Sequence, residues 1–494
     1  INLLAWPGDK FGAAGTELGA PPVGIGRTPS RTVPEILTRL AEADPDFACV
    51  SLLDGAGGRR ELRAGSLLTG ARRVAAGLGR RIDPGEPVAL MLPTGREFVE
   101  AFFGIQLAGG VPVPLALAPR PSQLEDHLAR QVGILRHCGA GMLVVAPEVA
   151  RLARLARLRA ETVRRVLVVD ELTGDGPAAI PWRARPEDPA LLQYTSGSTG
   201  SPKGVVLSHA NVLANLSAIA GGLATSSDDV FVSWLPLYHD MGLIGGLLHP
   251  LHTGIPLVLM TPQTFLARPS IWLDAIHRFR GTITFAPNFA YAICQRRAVE
   301  RRLPTLDLSC WRLALNGAEP VSAATIERFC RRFEAHGFRR EAMLPVYGLA
   351  ENTLAVTFPA LGRGPRVDRV RRDALLARGV AAPTAAGDAA RSFAACGLPL
   401  HDKDPRVVDE AGAERREREV GRVQFRGTSA TEGYYRDEEA TRRLRDGDWI
   451  DSGDLGYQVA GELFLTGRSR DIVIHAGRNI SPHCLEEAAG DIEG

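Results

Sequence analysis

Lysine is scarce: only Lys10, Lys203 and Lys403 occur among 58 basic residues, so the chain is arginine-dominated. Net charge is also near zero, +2 from 58 basic and 56 acidic residues, which leaves no overall field to gather nucleic acid or an anionic membrane. Seven cysteines are scattered and never spaced C-x-x-C, which argues against a disulfide framework or a zinc site and fits a reducing cytoplasm. The most apolar stretch, residues 243–260, is broken by His249, Pro250, His252 and Pro256, so no membrane span is expected. No secretory signal is visible. Missing, too, are H-E-x-x-H, a Ser-His-Asp order and a G-x-G-x-x-G after a strand, which disfavours hydrolase and dehydrogenase chemistry.

What is present is 494 residues with 45% hydrophobic content, enough for two to four compact units. Apolar runs at 88–92, 111–114 and 142–145 alternate with helical patterns at 97–107 and 124–135. The rhythm returns at 230–234, 241–248, 256–260, 270 onward and 283–285. Such alternation predicts an α/β fold with two similar doubly wound halves of parallel sheet and crossover helices. Residues 362–392 turn to Arg, Ala and Gly, an inserted, partly helical segment. Short strand-like runs at 406–408, 423–425 and 463–465 then predict a small β-rich, barrel-like unit. Leucines at helical spacing among the arginines of 151–165 read as a solvated amphipathic helix. The chain begins at Ile1 and stops at Gly494 soon after a helix start near Ser481, and both ends read as cut.

Residues 194–204, Tyr-Thr-Ser-Gly-Ser-Thr-Gly-Ser-Pro-Lys-Gly, are the most informative stretch. Thr195, Ser196, Gly197, Ser198, Thr199, Gly200 and Lys203 can aim hydroxyls, backbone N–H groups and one ammonium at polyphosphate oxygens. Gly-Lys-Ser/Thr is absent, so this is not a Walker A loop, and extended flanks predict that it joins two strands, with a helix N-cap at Ser208. A serine-glycine surface turn is the bland alternative.

Other constellations accompany it. Asp451-Ser-Gly-Asp454 follows a strand end at Trp449-Ile450 and precedes a hairpin ending at Gly467-Arg468; Asp454 can accept a ribose diol, with Arg468 in reach, or simply cap its own turn. Tyr347-Gly348-Leu349-Ala350-Glu351 supplies a ring for a base, a close-approach glycine and an oxygen ligand suited to Mg²⁺, against a buried tyrosine and a surface glutamate. Asn316-Gly317-Ala318-Glu319 is a tight turn able to face an adenine edge. His239, after a strand end, could orient a carboxylate or be structural.

Taken in order, Tyr-Thr-Ser-Gly-Ser-Thr-Gly-Ser-Pro-Lys-Gly, Tyr-Gly-Leu-Ala-Glu, Asp-Ser-Gly-Asp and Gly-Arg-Ser-Arg-Asp resemble the adenylate-forming superfamily over residues 30–494. Residues 233–245 and 286–291 look like its fatty acyl-AMP ligase branch, and 362–392 is placed like the insertion that separates this branch from acyl-CoA synthetases. The resemblance implies that a fatty carboxylate attacks the α-phosphate of ATP, and that the acyl group then passes from the adenylate to the phosphopantetheine thiol of an acyl carrier protein or a carrier domain of a polyketide or nonribosomal peptide synthase. It implies phosphate binding at Thr195 to Lys203, Mg²⁺ on Glu351, adenine near Tyr347 to Ala350 and Asn316 to Glu319, and ribose on Asp454 and Arg468. His239 and Met241 would meet the carboxylate, with the acyl chain past Asn288 and Phe289. Lys203, His239 and Glu351 are the expected catalytic residues in this chain. Residues 1–469 would be the large N-terminal adenylation domain and 470–494 the hinge, at Arg470, and the start of a small C-terminal α+β domain. That domain's lysine is not among these 494 residues and Lys403 cannot replace it, so slow adenylation is expected. Acyl-CoA synthesis and a non-catalytic adenylate-binding module are the alternatives.

Overall fold

The computed structural model describes residues 29–117, 124–172, 182–195, 202–295, 305–385, 390–469, 473–475 and 478–480. Two sheets dominate it. The smaller is all parallel, ordered Val111–Pro114, Pro87–Met91, Met142–Val145, Arg165–Val168. Its Val88 and Leu90 enter one apolar core and Ala89 and Met91 another, because successive side chains on a strand leave opposite faces. Both faces are covered, which is why such strands read as unbroken apolar runs.

The larger sheet has seven strands, ordered Met343–Pro345, Leu313–Asn316, Ile283–Ala286, Phe231–Ser233, Leu257–Met260, Val50–Leu53, Arg59–Leu62; only the last pair is antiparallel. The expected halves are therefore unequal, seven strands against four, and the larger one takes its edge from residues 50–62, upstream of the smaller sheet. A 50–53 strand pairing with 257–260 is a long-range choice that local periodicity does not encode.

Between the sheets, helices Ala64–Leu78 and Arg96–Leu107 approach closely enough that a Cβ on Gly104 would lie 2.6 Å from Val74. Helix Ala150–Arg159 is solvated as expected but ends short of residue 165, and it turns alanines inward: it buries Ala153 and Ala156, while Leu158 is 80% exposed. Small residues face the sheet because the helix lies close to it.

The β-rich unit is an antiparallel sheet of Asp404–Val408, Gly421–Arg426, Trp449–Val459 and Arg445–Asp446, with Glu462–Arg468 also paired to Trp449–Val459. The segment at 362–392 forms strand Val367–Arg371 and helix Arg372–Arg378, and returns as strand Ala390–Ala394. It is pinned to the β-rich unit by Arg363 and Arg366 on Glu462 and by Arg418 on Asp368, which also accepts from the Tyr457 hydroxyl.

A strongly buried charge, Asp229, lies just before the strand Phe231–Ser233 of the larger sheet. Burial opposes ionisation of Asp229, but the Arg312 guanidinium, the Ser226 N–H and the Thr282 hydroxyl outweigh it and hold the carboxyl below its usual range. Arg312→Ala strands that carboxylate and should cost about 3–5 kcal/mol in chemical denaturation. A carboxyl held low stabilises the fold above the ordinary carboxylate pKa and loses that contribution as pH falls through its folded value. The difference between the two proteins should therefore shrink below about pH 4.

Candidate active site

Strands Pro189–Thr195 and Lys203–Ser208 form the expected antiparallel hairpin, with Thr195 opposite Lys203. Ser208 caps helix His209–Gly222, accepting from the Asn211 N–H while the Asn211 side chain accepts from the Ser208 N–H. The connecting residues Ser196, Gly197, Ser198, Thr199 and Gly200 lie outside the described residues, as does Arg470. The first strand is anchored by Tyr194, whose hydroxyl lies 2.7 Å from Nδ1 of His137.

A cleft of about 2680 Å³ opens beside this hairpin. Thr195 and Lys203 line it together with His239, Met241, Asn288, Phe289, Ala318, Glu319, Tyr347 to Glu351, Asp454 and Arg468. Asn316 and Gly317 stand behind its wall: Asn316 is fully buried and donates through Nδ2 to Asn288 Oδ1 at 3.3 Å. Glu319 faces the cleft but spends Oε1 on the Phe289 N–H at 2.6 Å, so the 316–319 turn fixes the start of helix Asn288–Cys294.

Asp454 sits inside the long strand Trp449–Val459, which corrects the expectation of a turn after Ile450. The strand is distorted there: Gly453 has φ +75° and its N–H donates to Asp451 Oδ1, so the Asx-type turn belongs to Asp451. Asp454 Oδ2 accepts from the Tyr347 hydroxyl at 2.7 Å, and Oδ1 lies 3.3 Å from Arg468 Nε, its register partner on the adjacent strand. Burial raises the Asp454 pKa, and Tyr347 and Arg468 offset part of that. The Tyr347 ring is buried in the core of the β-rich unit, with its hydroxyl committed to Asp454.

Glu351 lies on the short turn Ala350–Asn352. Burial raises its pKa, the Asp240 and Asp454 charges add to the effect, and a 2.7 Å hydrogen bond from the Tyr434 hydroxyl to Oε1 works against it. The face of the Tyr434 ring lies 4.7 Å, centroid to Nζ, from Lys203. Tyr434 is the residue that sequence reasoning missed. Its only signal is a Gly-Tyr-Tyr run at 433–435, and nothing local links that run to Lys203 or Glu351.

His239 is half exposed, with Nδ1 2.7 Å from Asp240 Oδ1. It precedes Met241–Leu248, a π-helical segment with wider turns than an α-helix, a form frequent at functional sites. A Cβ on Gly242 would lie 2.1 Å from the Pro236 carbonyl oxygen, so glycine permits this segment to seat behind His239.

The chain belongs to the AMP-binding enzyme family, whose model matches residues 37–435. Such enzymes use ATP to form adenylates, and the chain is an enzyme of this adenylate-forming class. Among its relatives, a Caulobacter vibrioides protein provisionally named an acyl-CoA synthetase is 38% identical over 437 residues, 86% of this chain and 74% of its own length. The medium-chain fatty acid–[acyl-carrier-protein] ligase JamA of Moorena producens is 36% identical over 433 residues, 84% of this chain and 73% of its own. A solved structure from a study of fatty acyl-adenylate ligases of E. coli and L. pneumophila superposes with a TM-score of 0.88 at 38% identity, over 93% of this chain and 83% of that one. Among the described residues, no helix is long and apolar enough to cross a membrane, and six cysteines are free.

The Asp240 carboxylate beside His239 holds the imidazole pKa above its usual value, outweighing burial. In an NMR pH titration, His239 should titrate above the ordinary histidine value of about 6.5 in the unaltered chain and move down in Asp240→Asn. A group raised in this way favours the fold below the ordinary value and loses that contribution as pH rises through its folded pKa.

Proposed function

We propose that this chain activates a fatty carboxylate with ATP, forming acyl-adenylate and pyrophosphate, and hands the acyl group to the phosphopantetheine thiol of an acyl carrier protein. One observation carries the reading: a single cleft gathers the Lys203 hairpin, Glu351, the Asp454–Arg468 pair and His239, groups drawn from four separate elements of the fold. The ligases named among the relatives favour the same substrates.

In this reading Thr195 and Lys203 hold phosphate oxygens, where negative charge grows as the carboxylate attacks. Asp454 accepts the ribose hydroxyls, its charge kept in place by Arg468 and Tyr347. The His239–Asp240 pair and Met241 meet the incoming carboxylate, and the acyl chain runs past Asn288 and Phe289. Residues 1–469 form the nucleotide- and acyl-binding unit, and Arg470 opens the hinge.

Mg²⁺ fits the residues present. Among the described residues there is no cluster of three or more His, Cys, Asp or Glu side chains to cage a metal, but Mg²⁺ needs only one or two carboxylates plus phosphate oxygens and water. Glu351 is the carboxylate that would hold it, and the ion would neutralise phosphate charge.

A second reading, transfer to free coenzyme A, is favoured by the name of the Caulobacter relative. The test is mass spectrometry of products after incubating the chain at near-stoichiometric concentration with ATP, Mg²⁺ and a mixed fatty-acid pool, with and without CoA. Acyl-adenylate that persists when CoA is added is expected. Acyl-CoA would establish the second reading, and no acyl-adenylate at all would overturn both. Lys203→Ala should lower the yield rate by about 10²-fold, the usual scale for losing one donor to a charged transition state.

A further inference from the structure

Residues 428–435 come from the β-rich unit but are fastened to the two segments that carry Lys203 and Glu351. The Val206 N–H donates to the Gly433 carbonyl at 3.1 Å and the Tyr435 N–H to the Gly204 carbonyl at 2.7 Å, so Tyr434 forms a single antiparallel bridge to Val205 on the edge of Lys203–Ser208. The Thr431 N–H donates to the Glu351 carbonyl at 2.8 Å, and its hydroxyl to the Val206 carbonyl at 2.5 Å. The backbone of Tyr434 is held as well, its N–H donating to Thr441 Oγ1 at 2.9 Å.

Held in this way, one side chain meets two charges: the ring face is 4.7 Å from the Lys203 ammonium and the hydroxyl donates to Glu351 Oε1 at 2.7 Å. The two contacts differ in kind. A ring face attracts a cation through its quadrupole and needs no hydroxyl. The O–H to a carboxylate is a charge-assisted bond that fixes one oxygen and leaves the rest of the group directed elsewhere. We infer that Tyr434 is a positioning residue that sets Lys203 and Glu351 in register, through its ring for the lysine and its hydroxyl for the carboxylate. The inference rests on the proposed function, in which Lys203 takes phosphate and Glu351 takes Mg²⁺. It adds that the β-rich unit, through Tyr434, determines how those two groups face the same polyphosphate.

The division of labour predicts a split between two substitutions. Tyr434→Phe keeps the ring and loses the hydroxyl; Tyr434→Leu loses both. Equilibrium binding of a fluorescent ATP analogue to the chain, titrated with and without Mg²⁺, reads the two effects separately, and thermal unfolding of each variant confirms that it is folded. Tyr434→Phe should keep metal-free nucleotide affinity within about twofold and raise the Mg²⁺ concentration needed for half-maximal tightening by about tenfold. Those values are on the scale of one lost charge-assisted hydrogen bond. Tyr434→Leu should show the same Mg²⁺ effect and also weaken metal-free binding by several-fold.

A general packing role would weaken binding in both conditions in step with lost stability, and would not separate the variants. Unchanged Mg²⁺ dependence in Tyr434→Phe, with the unaltered chain binding nucleotide normally, overturns the inference and leaves the proposed function standing. If the unaltered chain binds no nucleotide, the proposed function falls and this inference falls with it. Should Tyr434→Leu fail to fold, the Tyr434→Phe result decides alone.

Discussion

The structure depends on a buried polar junction between the α/β sheets and the β-rich unit. Thr431 is 1% exposed and ties the Glu351 carbonyl to the hairpin that carries Lys203. Around it, the Asn215 side-chain amide donates to the Asn352 and Ala355 carbonyls and to Ser429 Oγ, while Ser429 Oγ donates to Asn352 Oδ1. Asn211, the residue that completes the cap of helix His209–Gly222, reaches the Thr428 and Ala430 carbonyls. Buried polar networks are costly when half satisfied and rigid when complete, so this one holds three chain-distant segments in a single geometry. The hairpin, the Glu351 turn and the β-rich unit are therefore placed relative to each other before any ligand arrives.

That placement sets the electrostatics of the cleft. Burial pushes the carboxyls of Glu351 and Asp454 up, and each retains a hydrogen-bond donor, Tyr434 or Tyr347, that favours its charged form. Lys203 and Arg468 bring positive charge to the same walls, beside the His239–Asp240 pair. The resulting surface is mixed in sign over short distances, as suits a ligand that carries phosphates at one end and a neutral sugar and base at the other. The chain's small net charge is consistent with recognition by this local pattern rather than by a global field.

Much of this was legible in the sequence where the signal is local. The hairpin around Lys203, the Ser208 cap and the strands at 111–114 and 142–145 follow from periodicity and turn chemistry that a few residues contain. Four ordered motifs likewise sufficed to indicate the family. What stayed hidden depends on pairings across the chain. Residues 50–62 complete the larger sheet through a partner two hundred positions away, and Tyr434 meets Lys203 only because residues 428–435 add to the hairpin edge. Ser-Gly after an aromatic strand looks like a strand end and so suggests a turn at Asp454; pairing of the strand on both sides of this point, with Asp454 opposite Arg468, keeps it inside a distorted strand. The leucines of 151–165 mislead for another reason: spacing reveals a helix face but not which face meets the sheet, and alanine wins where the approach is close.

The most direct test of the central claim, that this cleft binds an acyl-adenylate across Asp454, Glu351 and His239, is a crystal structure of the chain with a non-hydrolysable acyl-sulfamoyl adenosine. The account predicts ribose hydroxyls on the Asp454 carboxylate, the sulfamoyl group between His239 and the Thr195–Lys203 hairpin, and the acyl chain running past Asn288 and Phe289. An analogue bound elsewhere, or lying in the cleft with its ribose away from Asp454, would contradict it.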